Sequence, residues 1–417
     1  MSSQRTLRSG TATVQGAERS TVVLIRVLLG FESVLYSVVA PLLPHYAHQF
    51  GASKPAIGVL AAAYPAGMLP GSLLGGWVAT RTGVRRTTVV GLVLFTASIA
   101  PFGFASSIAV LDGLRFVQGI ACGYIWSGGL AWVIAIAPRG QRGEVLGSVL
   151  ASAIFGTLLG PVLGTLAVAA GTGIVFVGVG VVSLALTAWT VRHPEPPRAA
   201  LGGGTSPRAL AASPAFVVGF WLILLVACTI GATETLLPLR LARFGTSGIA
   251  IGVTFILASL LSTLLAPGIG RMTDRRGNAL PLIAGLGLTA VLLALLPLPQ
   301  TGLPLAVLTV MTLGGPLTAS TTAAMSLMTD AIERVGAALA FGTMLLNLAW
   351  GMGETFGAPA AATLSRATSD AVPLLLLAAA MLLTLAPVVR VRLGGDAPRA
   401  ATASAGGASS DDSTISL

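Results

Sequence analysis

The chain has 417 residues, 54% of them hydrophobic and only 9% charged, with a mean hydropathy of +0.88; a soluble domain would carry about a quarter charged residues, so an ordinary soluble protein is excluded. The net charge of +10 does not mark a nucleic-acid binder, because the arginines are spread through short loops between apolar runs rather than gathered on one polar domain. Cys122 and Cys228 both lie inside apolar runs and offer no disulfide framework, and the scattered His45, His48 and His193 argue against a metal centre.

The N-terminal stretch is polar and carries Arg5, Arg8 and Arg19. The apolar run that follows is too long for a signal peptide and has no small-residue cleavage site, so the stretch is expected to stay as a tail. Runs long enough to span a bilayer, about 20 residues each, begin near Thr21, Ala56, Thr87, Ile108, Glu144, Gly173, Pro214, Ile249, Ala279, Leu303, Gly336 and Ala371. Arg192 to Ser213, rich in Pro, Gly and Arg, reads as a linker, and Gly394 to Leu417, built of Ala, Ser, Gly and Asp, reads as a disordered tail. The expected organisation is an all-α membrane protein: a tail over 1–20, six helices over 21–191, the linker over 192–213, six more helices over 214–393 and a tail over 394–417.

With an even number of spans, both termini and the linker share one side. Arg81, Arg85, Arg86, Arg139, Arg142, Arg192, Arg198, Arg208, Arg271, Arg275, Arg276, Arg334, Arg390, Arg392 and Arg399 fall on that side, and Lys54, Arg240, Arg243 and Arg366 fall opposite. The positive-inside bias makes the arginine-rich side cytoplasmic. Arginine far outnumbers the single Lys54 and alanine is abundant, a composition associated with GC-rich bacteria, so a bacterial inner membrane is expected.

The two halves repeat. Leu42-Leu43-Pro44 matches Leu236-Leu237-Pro238, Phe50-Gly51 matches Phe244-Gly245, Ile57-Gly58-Val59 matches Ile251-Gly252-Val253 and Gly83 matches Gly277, all at one offset without a gap. Such a register predicts two pseudo-symmetric six-helix bundles with a binding site between them near the midplane.

Three groups of residues carry chemistry. In the fifth run, Gly147, Gly156, Gly160, Pro161 and Gly164 put small residues on one side of a helix, so that a neighbour can pack on bare backbone, while Pro161 removes a ladder hydrogen bond. In the fourth run, Arg115, Gln118, Cys122 and Trp126 share one face; an arginine inside a span needs a wet cavity, an acid or the interface, and Asp112 lies one turn away. Glu32, Glu234 and Glu354 stand inside the first, seventh and eleventh runs, where a carboxylate must be protonated, paired or facing water. Tyr36 follows Glu32 by one turn, and Asn347 and Trp350 share a face with Glu354.

The fifth-run spacing resembles the antiporter motif of the major facilitator superfamily's twelve-helix drug/proton antiporters, which ends in Gly-Gly where this chain has Gly164-Thr165. The loops Gly76 to Arg86, with Thr80, Arg81, Gly83 and Arg85, and Gly270 to Gly277, with Asp274 and Arg275, resemble that superfamily's Gly-x-x-x-Asp-Arg-x-Gly signature; Thr80 replaces the acid in the first copy. Arg115-Phe116-Val117-Gln118-Gly119 resembles its fourth-helix motif. Glu32 to Pro44 and Glu234 to Pro238 look like the first and seventh helices of vesicular amine transporters, with Asn347 standing where that group has an acid and Glu354 a candidate substitute. The resemblance implies a cytoplasmic latch at the two loops and a proton-associated arginine at Arg115.

Acids and aromatics in a greasy pocket suit lipophilic cations. The expectation is a proton-coupled exporter of small lipophilic cationic compounds working by alternating access, not an enzyme, with no cofactor or metal. Its expected partners are substrate, protons and the bilayer, with no nucleic acid, in a monomer. A proton-coupled metabolite importer or a lipid-translocating carrier of the same superfamily is the alternative.

Overall fold

The computed structural model describes residues 2–137, 142–194, 212–334 and 339–395, and these form helices and short connections with no strand among them. Residues 195–211 of the expected linker, 396–417 of the expected tail, Arg139, and the side chains of Asp274 and Glu333 lie outside the described residues.

The first half comprises α1 (Ser2–Ser37), a 3-10 turn over Ala40–Leu42, α2 (Leu43–Gln49), α3 (Lys54–Thr82), α4 (Val84–Phe102), α5 (Ile108–Ile136), α6 (Arg142–Ala170) and α7 (Thr172–Val191). The second comprises α8 (Pro214–Arg243), α9 (Gly248–Arg276), α10 (Ala279–Leu295), α11 (Gly302–Gly314), α12 (Pro316–Arg334), α13 (Leu339–Ala367) and α14 (Ala371–Gly395). With α1 and α2 taken as one segment and α11 and α12 as another, the described chain has the twelve spans and two bundles of the sequence reading.

Two of those spans are broken where the sequence reading drew continuous runs. The first stops at Ser37 and restarts through the 3-10 turn, because Pro41 and Pro44 supply no N–H to a helical ladder. The tenth stops at Gly314, and Gly315, at φ −106° and ψ −100°, leaves the helical region immediately before Pro316, which disfavours the α conformation in the residue ahead of it. At the other end of the first span, helix continues back through the polar N-terminal stretch to Ser2.

The repeat holds in the backbone. Gly51 and Gly245 take φ of 58° and 75°, and Gly83 and Gly277 take 103° and 79°, so each matched pair turns the chain through the left-handed region that other residues avoid. Packing follows the same symmetry: α3 lies on α5 as α9 lies on α11, α1 on α6 as α8 on α13, and α4 on α7 as α10 on α14. The halves meet along two equivalent seams, α3 with α13 and α6 with α9.

Glycines set the distance at the intimate contacts. A Cβ on Gly156 would stand 2.1 Å from the Gly30 carbonyl oxygen, one on Gly160 1.9 Å from Ser37 Oγ, and one on Gly164 2.5 Å from the Val38 oxygen, so α6 rests on the backbone of α1. Gly353 and Gly357 of α13 lie equally close to Leu224 and Cys228 of α8. A Cβ on Gly147, at the far end of the α6 stripe, would meet nothing within 4 Å among the described residues beyond its own stretch of helix.

The seams are closed at the arginine-poor end. Gly58 of α3 meets Pro359 and Ala362 of α13, and Gly252 of α9 takes the side chain of Thr165, the residue at which the glycine motif departs from Gly-Gly. Lys54 Nζ donates to Ser365 Oγ at 2.7 Å and pairs with Asp370, whose other oxygen meets Arg243. At the arginine-rich end, a Cβ on Gly76, Gly268 or Gly270 would meet nothing within 4 Å among the described residues beyond its own stretch of helix.

Candidate functional site

The break in the first span builds the centre of the molecule. Ending α1 at Ser37 leaves its last carbonyls without helical partners, and the guanidinium of Arg115 on α5 takes two of them: Nη1 donates to the Leu35 oxygen at 2.9 Å and Nη2 to the Tyr36 oxygen at 3.2 Å. Nη1 also reaches Gln118 Oε1 at 3.2 Å, and the guanidinium carbon stands 4.4 Å from the centre of the Tyr64 ring. Arg115 is only 1% exposed, so this cation is inside the protein rather than at the interface. It is not paired with Asp112, whose Oδ1 has no partner among the described residues. Gln118 in turn donates to the Ser98 carbonyl at 3.4 Å.

Two carboxylates flank this arginine. Glu32 is 2% exposed; one oxygen accepts from the Tyr64 hydroxyl of α3 and the other from the Trp126 indole N–H of α5 at 2.6 Å. All of these groups belong to the first half. Glu354 of α13 is 5% exposed and accepts from the hydroxyl of Tyr36, which belongs to α1 of the opposite half. The Trp350 indole N–H donates to that same hydroxyl oxygen at 3.1 Å. The rings of Tyr36 and Tyr64 lie edge to face at 5.7 Å, so the two acid sites touch through their tyrosines.

Between the halves lies a cavity lined by Tyr36, Pro65, Arg115, Glu234, Thr235 and Glu354, among others. Its free volume is about 30 Å³, room for one water. Of the residues singled out from sequence, Tyr36, Arg115, Glu234 and Glu354 line it; Glu32, Gln118 and Trp126 stand behind it in the first bundle, Trp350 reaches it through Tyr36, and Asn347 lies outside it.

The Thr80 hydroxyl bonds the Trp77 carbonyl of its own helix at 2.8 Å, Arg81 lies 4.1 Å over the Trp77 ring, and Arg85 donates to the His193 carbonyl at 2.9 Å, past the end of α7. Arg275 and Gly277, in the second copy, are exposed.

Sequence reasoning missed Tyr64, the hydroxyl donor to Glu32, and the cluster of Lys54, Arg243, Ser365 and Asp370. A signal for the second was present: Asp370 is an acid on a side otherwise read only for its cations. Asp370 is outside the spans and its carboxyl responds to its neighbours. Burial alone would raise it, but hydrogen bonds from Lys54 and Ser365 and the charges of Arg243 and Lys54 hold it below its ordinary value of 3.8.

Two pseudo-symmetric helical bundles, multi-pass in a membrane, with a polar site enclosed between them, define a carrier. Residues 27–354 match the family model of the Major Facilitator Superfamily, and the chain belongs to that family of transporters, which are not enzymes. It is similar to the MFS-type transporter ppzB of Metarhizium rileyi, 29% identical over 153 residues, covering 35% of this chain and 32% of that protein. It is also similar to the quinolone resistance protein NorA of Staphylococcus aureus, 29% identical over 127 residues, covering 30% of this chain and 33% of that protein. The alignments thus span about a third of the length of these relatives. Among solved structures, a bacterial homologue of the lysosomal transporter Spinster, in an inward-facing and unoccupied conformation, superposes with a TM-score of 0.71 at 14% identity over 90% of this chain and 95% of its own. The xylose transporter XylE of E. coli, partially occluded and inward open, gives 0.67 at 15% identity over 90% and 97%. These likenesses concern the fold.

Proposed function

We propose that the chain is a proton-coupled exporter of small lipophilic cations, exchanging cargo for protons by rocking one bundle against the other. The observation that carries this reading is that Glu234 and Glu354 of one half share a cavity with Tyr36 and Arg115 of the other. A carboxylate enclosed by apolar helices carries either a proton or a cation, and rarely neither. Exchange follows: cargo leaves when a proton arrives.

On the reading that the arginine-rich side is cytoplasmic, the closure at Gly58, Gly252 and Lys54 supports a carrier shut toward the outside. A cation would enter from the cytoplasm, meet an ionised acid, and be released outside as protons neutralise that acid. Glu32, beside Arg115 and Tyr64 but behind the cavity, would serve as proton carrier. NorA, named for quinolone resistance, supports the drug-export class.

Proteoliposomes test it. Wild-type protein should move a fluorescent lipophilic cation against an imposed proton flux, and Glu32→Gln should abolish that movement while remaining folded. Undiminished efflux by Glu32→Gln removes Glu32 from the mechanism, and cargo moving in the same direction as the proton replaces the exporter with an importer.

A further inference from the structure

The Glu354 site is already occupied, and its occupant comes from the other half of the protein. Tyr36 projects from the last turn of α1, and its backbone is held by Arg115 through the Tyr36 carbonyl. Its hydroxyl donates to Glu354 and accepts from the Trp350 indole N–H, both on α13. With the phenol among its lining groups the cavity keeps only about 30 Å³, whereas pockets for drug-sized ligands begin near roughly 300 Å³. Cargo cannot be added to this arrangement. It has to replace part of it.

We propose that the Tyr36 hydroxyl is a resident stand-in for cargo at a cation site built from Glu354, Glu234 and Trp350, and that cargo binds by displacing it. This inference rests on the cation-exporter reading and adds two things to it. The first is a substrate class. A ligand that evicts the phenol must replace the hydrogen bond that Glu354 loses, so the site favours protonated amines, which bring an N–H, over quaternary ammonium ions, which bring charge alone. The vacated indole N–H and ring face of Trp350 then serve an acceptor on the ligand and its cationic centre.

The second is coupling. The bond between Tyr36 and Glu354 crosses between the halves, so an arriving amine removes a tie between the bundles by occupying one end of it. The anchored carbonyl of Tyr36 keeps α1 in place while the ring rotates away. Binding energy reaches the conformational equilibrium without a separate relay.

Two measurements on the purified full-length chain test this. In the first, no ligand is used. Spin labels on Ser53→Cys and Ser369→Cys, in a background with Cys122 and Cys228 replaced by serine, report the separation of the halves at the arginine-poor end. Tyr36→Phe should enlarge the long-distance population, Glu354→Leu, which removes the acceptor, should enlarge it similarly, and the double variant should add nothing more. In the second, fluorescence polarisation follows binding of quinacrine, a protonated amine, and of 10-methylacridinium, a fluorescent quaternised cation with no N–H. Tyr36→Phe should bind quinacrine roughly tenfold tighter than wild type, the scale of one hydrogen bond to a charged group, and the gain should vanish in the Glu354→Gln background.

Unchanged or weaker quinacrine binding by Tyr36→Phe overturns the displacement, as does a gain that survives Glu354→Gln. Equal wild-type affinity for the two dyes overturns the amine preference. Absence of wild-type binding to either dye, with the label response intact, counts against the cation-exporter reading and leaves the tie between the halves standing.

Discussion

Glu32 and Glu354 are built from the same parts and wired differently. Each is enclosed at mid-span and accepts from a tyrosine hydroxyl, with a tryptophan indole N–H that donates to the carboxylate itself at Glu32 and to the tyrosine oxygen at Glu354. Glu32 receives both donors from its own bundle and stands behind the cavity. Glu354 lines the cavity and receives its tyrosine from the opposite bundle. The same chemistry is therefore placed differently: the bonds of Glu32 stay within one bundle whatever the other does, whereas the bond of Glu354 crosses the seam and cannot persist if the bundles part there.

The largest expected divergence is in stability. Glu32→Ala strands the Tyr64 hydroxyl and the Trp126 N–H inside the first bundle, at about 1–3 kcal/mol for each buried donor left without a partner. Its thermal midpoint in detergent should fall by several degrees. Glu354→Ala releases Tyr36 into a cavity with room for water, so its midpoint should shift much less. Equal losses would show that the two acids are structurally equivalent and remove the contrast.

A smaller effect is expected at the arginine-poor rim. Asp370 is charged and held below its ordinary carboxylate value, so the closed form gains from this contact at any pH above that range and loses it only as the pH falls through the lowered value. Asp370→Asn should therefore raise the open population modestly, to a similar extent across neutral and mildly acidic pH, as read by distances between labels. Arg243 is half exposed and adds little to the contact through solvent. A steep response of the wild-type rim between neutral and mildly acidic pH would instead make Asp370 a proton sensor.

Much of the architecture could be read from residues alone. Apolar runs gave the spans, and the matched register of Gly51 with Gly245 and Gly83 with Gly277 anticipated two bundles whose backbones turn alike at those points. Local pattern also placed Glu32, Arg115 and Glu354 inside spans. What it could not supply was the partner of each. The first run was read as continuous despite Pro41 and Pro44, and the consequence of the break, freed carbonyls at Leu35 and Tyr36 taken by Arg115, depends on how α5 lies against α1. Tyr64 was invisible for the opposite reason, since a tyrosine in an apolar run has the pattern of any core aromatic. The tie from Tyr36 to Glu354 depends on the rotation of α1 and α13 about their axes across a seam, which no spacing within either helix encodes.

Competition between proton and cargo for the Glu354 carboxylate is the claim on which the account stands, and proton release on binding tests it most directly. Quinacrine added to weakly buffered, detergent-purified protein containing a pH indicator should liberate protons only where the solution is acid enough for Glu354 to hold one beforehand, with affinity falling as the solution is acidified through that range, and Glu354→Gln should show neither effect. Full-affinity binding with no proton release and no dependence on pH would contradict it.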